Sequence, residues 1–302
     1  MRIVIGIDRS TEAEQACWFI ADRTWPPGTR VILVAASQPR VELAAFATVG
    51  VETLVDDRHA VEALLDERAD VFRRANLPVE TEVGAGPAAE VLMDAAAGHF
   101  ADLIVVGSRR RGPLSSAVLG SVSTALADHA PCPVLVVRTP SASRMLVATD
   151  GTHSSRSIPT ILAAWGPAFR GLPVEVVSVA PRHGFVTPWG SGSAEEGGDD
   201  QELELHQGIA EQVADELMEF GWAAAAIARA GDPEHEIVAA GEEWGADLIV
   251  TGSRGIGTLH RILGGSVAHE VLLHTRSSVL VMRGQVPAPI GAVRVANGLA
   301  TG

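Results

Sequence analysis

The sequence contains no lysine. Its 23 basic residues are all arginine, in a chain of 302 residues. A phosphate-binding loop of the GxxxxGK[ST] type requires a lysine, so this loop is excluded. Schiff-base chemistry on a lysine amine and the lysine-dependent arrangement of protein kinases are excluded for the same reason. Any bound phosphate must therefore rely on backbone N–H groups, helix N-termini, hydroxyl groups, arginine or a metal ion.

Cysteine and long apolar runs are also scarce. The two cysteines, Cys17 and Cys132, belong to no CxxC motif or Cys/His cluster, so we expect buried structural thiols. No apolar run reaches the roughly 20 residues of a membrane-spanning helix, and no membrane association is expected. The first residues, 1–8, are typical of a strand rather than of a signal peptide, which favours a cytoplasmic location.

Positive charge is in short supply, since the formal net charge is −14 at pH 7. A nucleic-acid partner would require a basic face, so none is expected. The run Arg109-Arg110-Arg111 is the chain's one basic cluster. In so acidic a chain, a solvated loop or a phosphate contact explains this run better than a nucleic-acid site.

The chain repeats itself. At an offset of 145, residues 99–109 match residues 244–254, and about 18 of the 40 positions from 99 to 138 recur. At an offset of 142, Asp8 aligns with Asp150. We therefore predict two tandem domains, copy one at 1–140 and copy two at 141–286. The remainder, 287–302, has no periodicity and is expected to be a flexible tail.

Each copy alternates short apolar runs with helical patterns, which predicts α/β architecture. Runs this apolar suit parallel strands that are covered on both faces. We predict two tandem doubly wound, Rossmann-like parallel sheets of five strands, each in the order 3-2-1-4-5. A Gly-, Ser- and acid-rich insert at about 184–200 is expected to be a loop. The predicted strands lie at 3–7, 31–36, 79–83, 103–106 and 134–137, and at 145–149, 174–179, 224–228, 248–251 and 279–282.

A glycine motif follows the fourth strand of copy two. Gly252-Ser253-Arg254-Gly255 is followed by nine residues and then by Gly265-Ser266-Val267. Glycine lets the backbone approach a phosphate closely, and the later Gly-Ser opens a helix whose N–H groups favour an anion. Asp150 ends the first strand. Because strands one and four flank the ligand-binding crevice of such a sheet, the aspartate and the glycine loop are expected to share it.

The chain resembles the universal stress protein family over nearly its whole length. The ATP-binding members carry Gly-x2-Gly-x9-Gly-(Ser/Thr), which copy two matches in full at Gly252, Gly255, Gly265 and Ser266. The segments Asp8-Arg9-Ser10, Asp150-Gly151-Thr152 and Ala130-Pro131-Cys132-Pro133 are also similar to the family. The resemblance implies a protein that binds ATP with Mg²⁺.

The resemblance also implies the site residues. In copy two, Asp150 is expected to contact adenosine and Val179 to line the base pocket. The ribose and phosphates are expected to contact Gly252, Gly255, Gly265, Ser266 and Val267. The corresponding residues of copy one are Asp8, Ala36, Gly107, Gly120, Ser121 and Val122.

Copy one departs from the pattern at Arg110, which stands in place of the second glycine. Its side chain either blocks the close backbone approach and weakens binding, or contacts phosphate oxygens through the guanidinium group. We favour weaker binding, because a left-handed backbone there would cost an arginine about 1 kcal/mol.

Three functions follow from these patterns. The first is an ATP-binding stress-response regulator or switch. The second is a slow ATPase or nucleotide hydrolase, although no general base or Walker-type acidic pair can be named for it. The third is an interaction module without nucleotide. The last strand of each copy would leave an exposed sheet edge, and the resemblance implies that such edges pair, within one chain as a pseudo-dimer or in a homodimer.

Overall fold

The computed structural model describes residues 1–37, 52–108, 120–181, 186–187, 190–191, 198–252 and 267–283. Copy one contains β1 (Arg2–Gly6), α1 (Thr11–Ala21), β2 (Arg30–Ser37), α2 (Glu52–Arg74), β3 (Val79–Ala85), α3 (Ala88–Gly98), β4 (Leu103–Gly107), α4 (Ser121–His129) and β5 (Val134–Val137). Copy two contains β6 (Met145–Ala148), α5 (His153–Arg156), α6 (Ile158–Ala164), a 3-10 turn (Gly166–Ala168), β7 (Val174–Pro181), β8 (Val186–Thr187), β9 (Gly190–Ser191), α7 (Gly198–Glu219), β10 (Ala224–Gly231), α8 (Pro233–Trp244), β11 (Leu248–Gly252), α9 (Val267–His274) and β12 (Ser278–Met282).

The two copies share one ten-stranded sheet, in the order β10-β7-β6-β11-β12-β5-β4-β1-β2-β3. Within each copy the strands are parallel and follow the predicted order 3-2-1-4-5. The copies join where β5 and β12 pair antiparallel, with Leu135 opposite Leu280. The predicted pairing of the last strands is therefore confirmed. It covers two apolar strand edges that would otherwise be exposed to solvent.

Helices cover both faces of the sheet, which explains why the strands are apolar throughout. In β1, Ile3 and Ile5 pack with residues of α1, α2, α6 and α7 on one face. Val4, between them, packs with residues of α3, α4, α8 and α9 on the other face. None of the helices in the described part of the chain is both long and apolar enough to cross a membrane.

The insert of copy two differs from the predicted loop. Strands β8 and β9 pair with each other antiparallel, and α7 already begins at Gly198. Ala210, Val213 and Leu217 of α7 are buried in the core. Towards its N-terminus the same helix extends into the acidic part of the insert. The remaining insert residues and the predicted tail at 287–302 lie outside the described residues.

The two copies also meet through aromatic residues on one face of the sheet. The ring of Phe169, in copy two, lies edge-on to Trp25 of copy one with centroids 5.9 Å apart. The guanidinium carbon of Arg23 lies 5.0 Å from the centroid of Phe169, and its Nη1 donates to the carbonyl of Ala168 at 2.9 Å. Side-chain packing therefore reinforces the junction made by the strands.

Arg138 links the end of copy one to the end of helix α9. Its Nη1 donates to the carbonyls of Thr275 at 2.9 Å and Ser277 at 3.1 Å, and its Nη2 donates to the carbonyl of Leu272. The last carbonyls of a helix have no partner within the helix and carry partial negative charge, so a guanidinium group satisfies them well.

Replacing Arg138 with Met keeps most of the aliphatic stem but removes these donors. We expect Arg138→Met to lower the free energy of unfolding by about 2–3 kcal/mol, since backbone acceptors at the junction lose a charged partner. Urea denaturation followed by circular dichroism measures the change. Arg144→Met is the matched control, because Arg144 donates to a single carbonyl, of Trp244, at an exposed position. Equal losses in both variants would contradict the assigned role of Arg138.

The two cysteines are free and buried, as predicted. Burial raises the pKa of the Cys17 thiol, and of the Cys132 thiol, from 9.0 to about 12. Since the thiolate is the reactive form, we expect neither thiol of the folded protein to react with an aromatic disulfide reagent at about pH 8. Both are expected to react after denaturation. Rapid reaction of either thiol in the folded protein would show that it is not buried in solution.

Candidate functional site

A cavity opens at the carboxyl ends of β6, β7 and β11 in copy two. These are the first, second and fourth strands of that copy, so the cavity lies at the switch point that the strand order predicts. Its volume is about 120 Å³. The described lining residues are Ala148, Thr149, Asp150, Ser155, Val177, Val179, Pro181, His206, Pro233, Ile237, Thr251, Gly252 and Val267.

Asp150 is held rigidly through one carboxylate oxygen. Its Oδ1 accepts hydrogen bonds from the Thr152 amide at 3.0 Å, the Thr152 hydroxyl at 2.6 Å and the Ser155 hydroxyl at 2.8 Å. The Thr149 hydroxyl donates in turn to the Ser155 oxygen at 3.1 Å. Three donors on one oxygen fix the direction of the carboxylate.

The second oxygen of Asp150 has no such support. Oδ2 is buried, and no donor from the described residues reaches it. A buried carboxylate oxygen without a donor is costly, and almost all such atoms in proteins have a partner. A ligand with a hydroxyl or N–H group in the cavity would supply the missing hydrogen bond.

The wall beside Asp150 is apolar. Val177, Val179 and Ile237 are buried and belong to one hydrophobic cluster, and Pro181 lies at the end of the same strand as Val179. An apolar wall with a few fixed polar groups is the usual composition of a small-molecule site.

The opposite end of the cavity is formed by the end of β11 and the beginning of α9. Gly252 ends the strand, and a Cβ at this position would lie 3.3 Å from the Ser154 hydroxyl oxygen. Val267 is the first described residue of α9. The predicted motif residues Gly255, Gly265 and Ser266 lie outside the described residues.

A histidine completes the lining. His206, on α7, is 5% exposed, and its Nδ1 lies 2.8 Å from the hydroxyl oxygen of Ser178 on β7. Burial lowers the pKa of His206 from 6.5, while the charges of Glu202 and Asp150 act in the opposite direction. The imidazole is therefore predominantly neutral at pH 7.

The corresponding residues of copy one are arranged differently. Asp8 accepts hydrogen bonds from the amide of Ser10, at 2.9 Å, and from its hydroxyl. A Cβ at Gly107 would collide with the backbone of Glu12, so this glycine is needed for packing against α1. Ala36 is half-buried in β2, and Gly120 caps α4 just before Ser121 and Val122. Arg110 lies outside the described residues.

The two copies differ most in the polar residues around the aspartate. In copy two, Thr149, Ser155, Ser178 and Thr251 carry hydroxyl groups. The sequence alignment and the strand register place Ile7, Ala13, Ala35 and Val106 at these positions in copy one. Four hydroxyl groups are thus replaced by apolar side chains, and the polar environment of Asp150 is specific to copy two.

Known protein families include one whose domain occurs twice in this chain, in agreement with the duplicated architecture. The model of the Universal stress protein family matches the chain twice, at residues 1–138 and at residues 142–283. The chain belongs to this family.

Its relatives share the tandem arrangement. Universal stress protein Rv2623 of Mycobacterium tuberculosis is 30% identical over 306 residues, covering 93% of this chain and 96% of the relative. A universal stress protein of Mycolicibacterium smegmatis is 28% identical over 300 residues, with the same coverage of 93% and 96%.

Solved structures of the family share the fold. A universal stress protein from Archaeoglobus fulgidus superposes with a TM-score of 0.67 at 18% identity, covering 93% of this chain and 98% of that one. One from Pseudomonas aeruginosa, described as a putative universal stress protein, has a TM-score of 0.62 at 19% identity and covers 93% and 92%.

Four of the family-derived site residues of copy two line one cavity: Asp150, Val179, Gly252 and Val267. Sequence reasoning missed the supporting hydroxyl group of Ser155 and the imidazole of His206. The sequence from Thr152 to Ser155 could have predicted the Ser155 contact. Small hydroxyl residues that follow a strand-ending aspartate commonly donate hydrogen bonds to its carboxylate. No local signal marked His206, which reaches the cavity only through the packing of α7.

Proposed function

We propose that this universal stress protein binds ATP, with Mg²⁺, in the cavity of copy two, and acts as a nucleotide-dependent regulator. Asp150 carries the proposal, because one of its carboxylate oxygens is held by three donors and the other is buried without a described donor. A carboxylate arranged in this way is prepared to accept a hydrogen bond from a ligand.

The other walls of the cavity suit the remaining parts of an adenine nucleotide. The base would lie against Val177, Val179 and Ile237, while a hydroxyl or N–H group of the adenosine would donate to Asp150. The phosphates would extend towards Gly252 and the start of α9. There, backbone N–H groups, and the predicted motif residues Gly255, Gly265 and Ser266, would contact them. The Mg²⁺ ion would be bound mainly by the phosphates.

Copy one is proposed to bind nucleotide weakly at most. Its aspartate, Asp8, lacks the counterpart of the Ser155 hydroxyl, since Ala13 stands there. We also propose domain boundaries at 1–140 and 141–286, a cytoplasmic location, and a regulatory role in which ATP is held rather than consumed. Hydrolysis by a slow ATPase stays the alternative hypothesis, and an interaction module without nucleotide is the third.

Mass spectrometry of nucleotide released from the purified, denatured protein tests this proposal. We expect about one ATP per chain, since a single site carries the full set of contacts. Val179→Glu places a carboxylate on the apolar wall and is expected to yield an empty protein. Ala36→Glu, the matched change in copy one, is expected to retain the ATP.

The alternatives give different results in the same experiment. Continuous release of ADP from added Mg-ATP would favour the hydrolase. A protein that carries no nucleotide and binds no added Mg-ATP would overturn the proposal and leave the interaction module.

A further inference from the structure

We propose that His206 is a proton-sensitive ligand contact of the copy-two site, so that adenine-nucleotide affinity falls as its imidazole becomes protonated. This inference rests on the proposed function. It goes beyond that function by assigning a pH response to a named ligand contact.

The imidazole of His206 is held in position by a hydrogen bond to Ser178. Its Nδ1 lies 2.8 Å from the Ser178 hydroxyl oxygen, and both residues are buried, with Ser178 fully inaccessible. Ser178 does not line the cavity, whereas His206 does. The serine therefore orients the ring, and Nε2 is the remaining ring nitrogen that can meet a ligand.

Two acidic groups act on this imidazole. Glu202 lies one helical turn earlier on α7, and Asp150 lies across the cavity; each charge favours the protonated ring. Burial opposes them and is the larger effect, so it lowers the pKa of His206 from 6.5. The lowered pKa favours the neutral ring at neutral pH, and the ring gains its proton as the pH falls below that pKa.

Protonation changes the cavity in two ways that disfavour a nucleoside. An uncharged heterocycle packed on Val177 and Val179 would have to cover a cation, which loses solvation. The new cation also attracts the Asp150 carboxylate, whose free oxygen would otherwise accept from the ligand. Both effects weaken binding at the base end, whereas the phosphates of the proposed nucleotide would extend towards Gly252.

Copy one lacks the serine that orients this ring. Ala35 occupies the position of Ser178, so no side chain there can hold an imidazole in the same way. The pH response therefore belongs to copy two, where the full aspartate network is found.

Calorimetric titration of the full-length protein with adenosine, and with ATP in parallel, tests the proposal. Adenosine is the decisive ligand because the terminal phosphate of ATP itself titrates near about pH 6. We expect the dissociation constant to increase as the pH falls from about 7.5 to about 5.5. Because burial lowers the pKa of His206 from 6.5, this increase stays below about tenfold, and it reaches up to tenfold per pH unit only below that pKa. In His206→Gln, a neutral hydrogen-bonding group replaces the ring, and the dissociation constant for adenosine is expected to be nearly independent of pH. His59→Gln, an exposed histidine on α2, is the control and is expected to behave as wild type.

A second measurement on the unmodified protein avoids reliance on the folding of a variant. ATP binding near the pKa of His206 is expected to release protons, which appear as a dependence of the binding heat on the ionisation enthalpy of the buffer. Adenosine, which has no phosphates, is expected to show the same proton release.

The outcomes separate this inference from the proposed function. Binding of ATP that is independent of pH in the wild type, or that strengthens on acidification, would overturn the role of His206 and leave the nucleotide site standing. Absence of ATP binding at every pH would overturn both. A pH response of adenosine binding that is retained in His206→Gln would also overturn this inference.

Discussion

Asp150→Ala is expected to raise the dissociation constant for ATP at least about thirtyfold, equivalent to about 2 kcal/mol. The variant removes the buried acceptor on which the site depends, and it leaves the hydroxyl groups of Thr152 and Ser155 without their shared partner. Equilibrium titration with ATP measures the loss, and circular dichroism checks that the variant is folded.

Asp8→Ala is the matched control in copy one. Asp8 occupies the same position after the first strand, but its neighbour at the Ser155 position is Ala13. We expect ATP affinity to change less than about threefold in Asp8→Ala, because copy one contributes little to binding. If the two variants lost affinity equally, both copies would bind nucleotide, and the assignment to copy two would be wrong.

Phe169→Ala is expected to lower the free energy of unfolding by about 3–5 kcal/mol, the usual cost of removing a buried aromatic ring. Phe169 is 1% exposed and contacts aromatic rings from both copies, Trp25 and Trp165. The substitution would also remove one of the two aromatic rings that the guanidinium group of Arg23 contacts.

The position of Phe169 at the junction adds a second expectation. Because Trp25 and Arg23 belong to copy one, we expect both copies to lose stability together in urea denaturation. Phe100→Ala is the control, since this phenylalanine is 78% exposed and its loss should cost less than about 0.5 kcal/mol. A transition of copy one unaffected by Phe169→Ala would show that the copies are energetically independent.

The strand order was predictable because it follows from simple rules. Continuous apolar runs such as 103–106 require cover on both faces, and alternating helices then leave few topologies. The switch point follows from that order, so Asp150 and Gly252 were expected in one crevice, where the structure places them. The family resemblance added Val179 and Val267, which composition and spacing alone would not identify.

Other features depend on contacts that are distant in sequence. The register of Leu135 against Leu280 is set by the joint packing of the two copies, and local patterns do not encode it. His206 is unremarkable in an acidic helix until α7 packs over Ser178. Gly107 matches a binding motif in sequence, yet the structure shows a different requirement: a side chain at this position would collide with the backbone of Glu12. The sequence predicted that Gly107 contacts a ligand, whereas the structure shows that this glycine is required for packing.

The stoichiometry of ATP binding to the nucleotide-free protein tests the central claim most directly. Isothermal titration of the refolded, nucleotide-free chain with Mg-ATP is expected to show about one site per chain with a dissociation constant in the micromolar range or below. Loss of that site in Asp150→Ala, with retention in Asp8→Ala, would assign it to copy two. A flat titration of the folded wild-type protein would contradict the account.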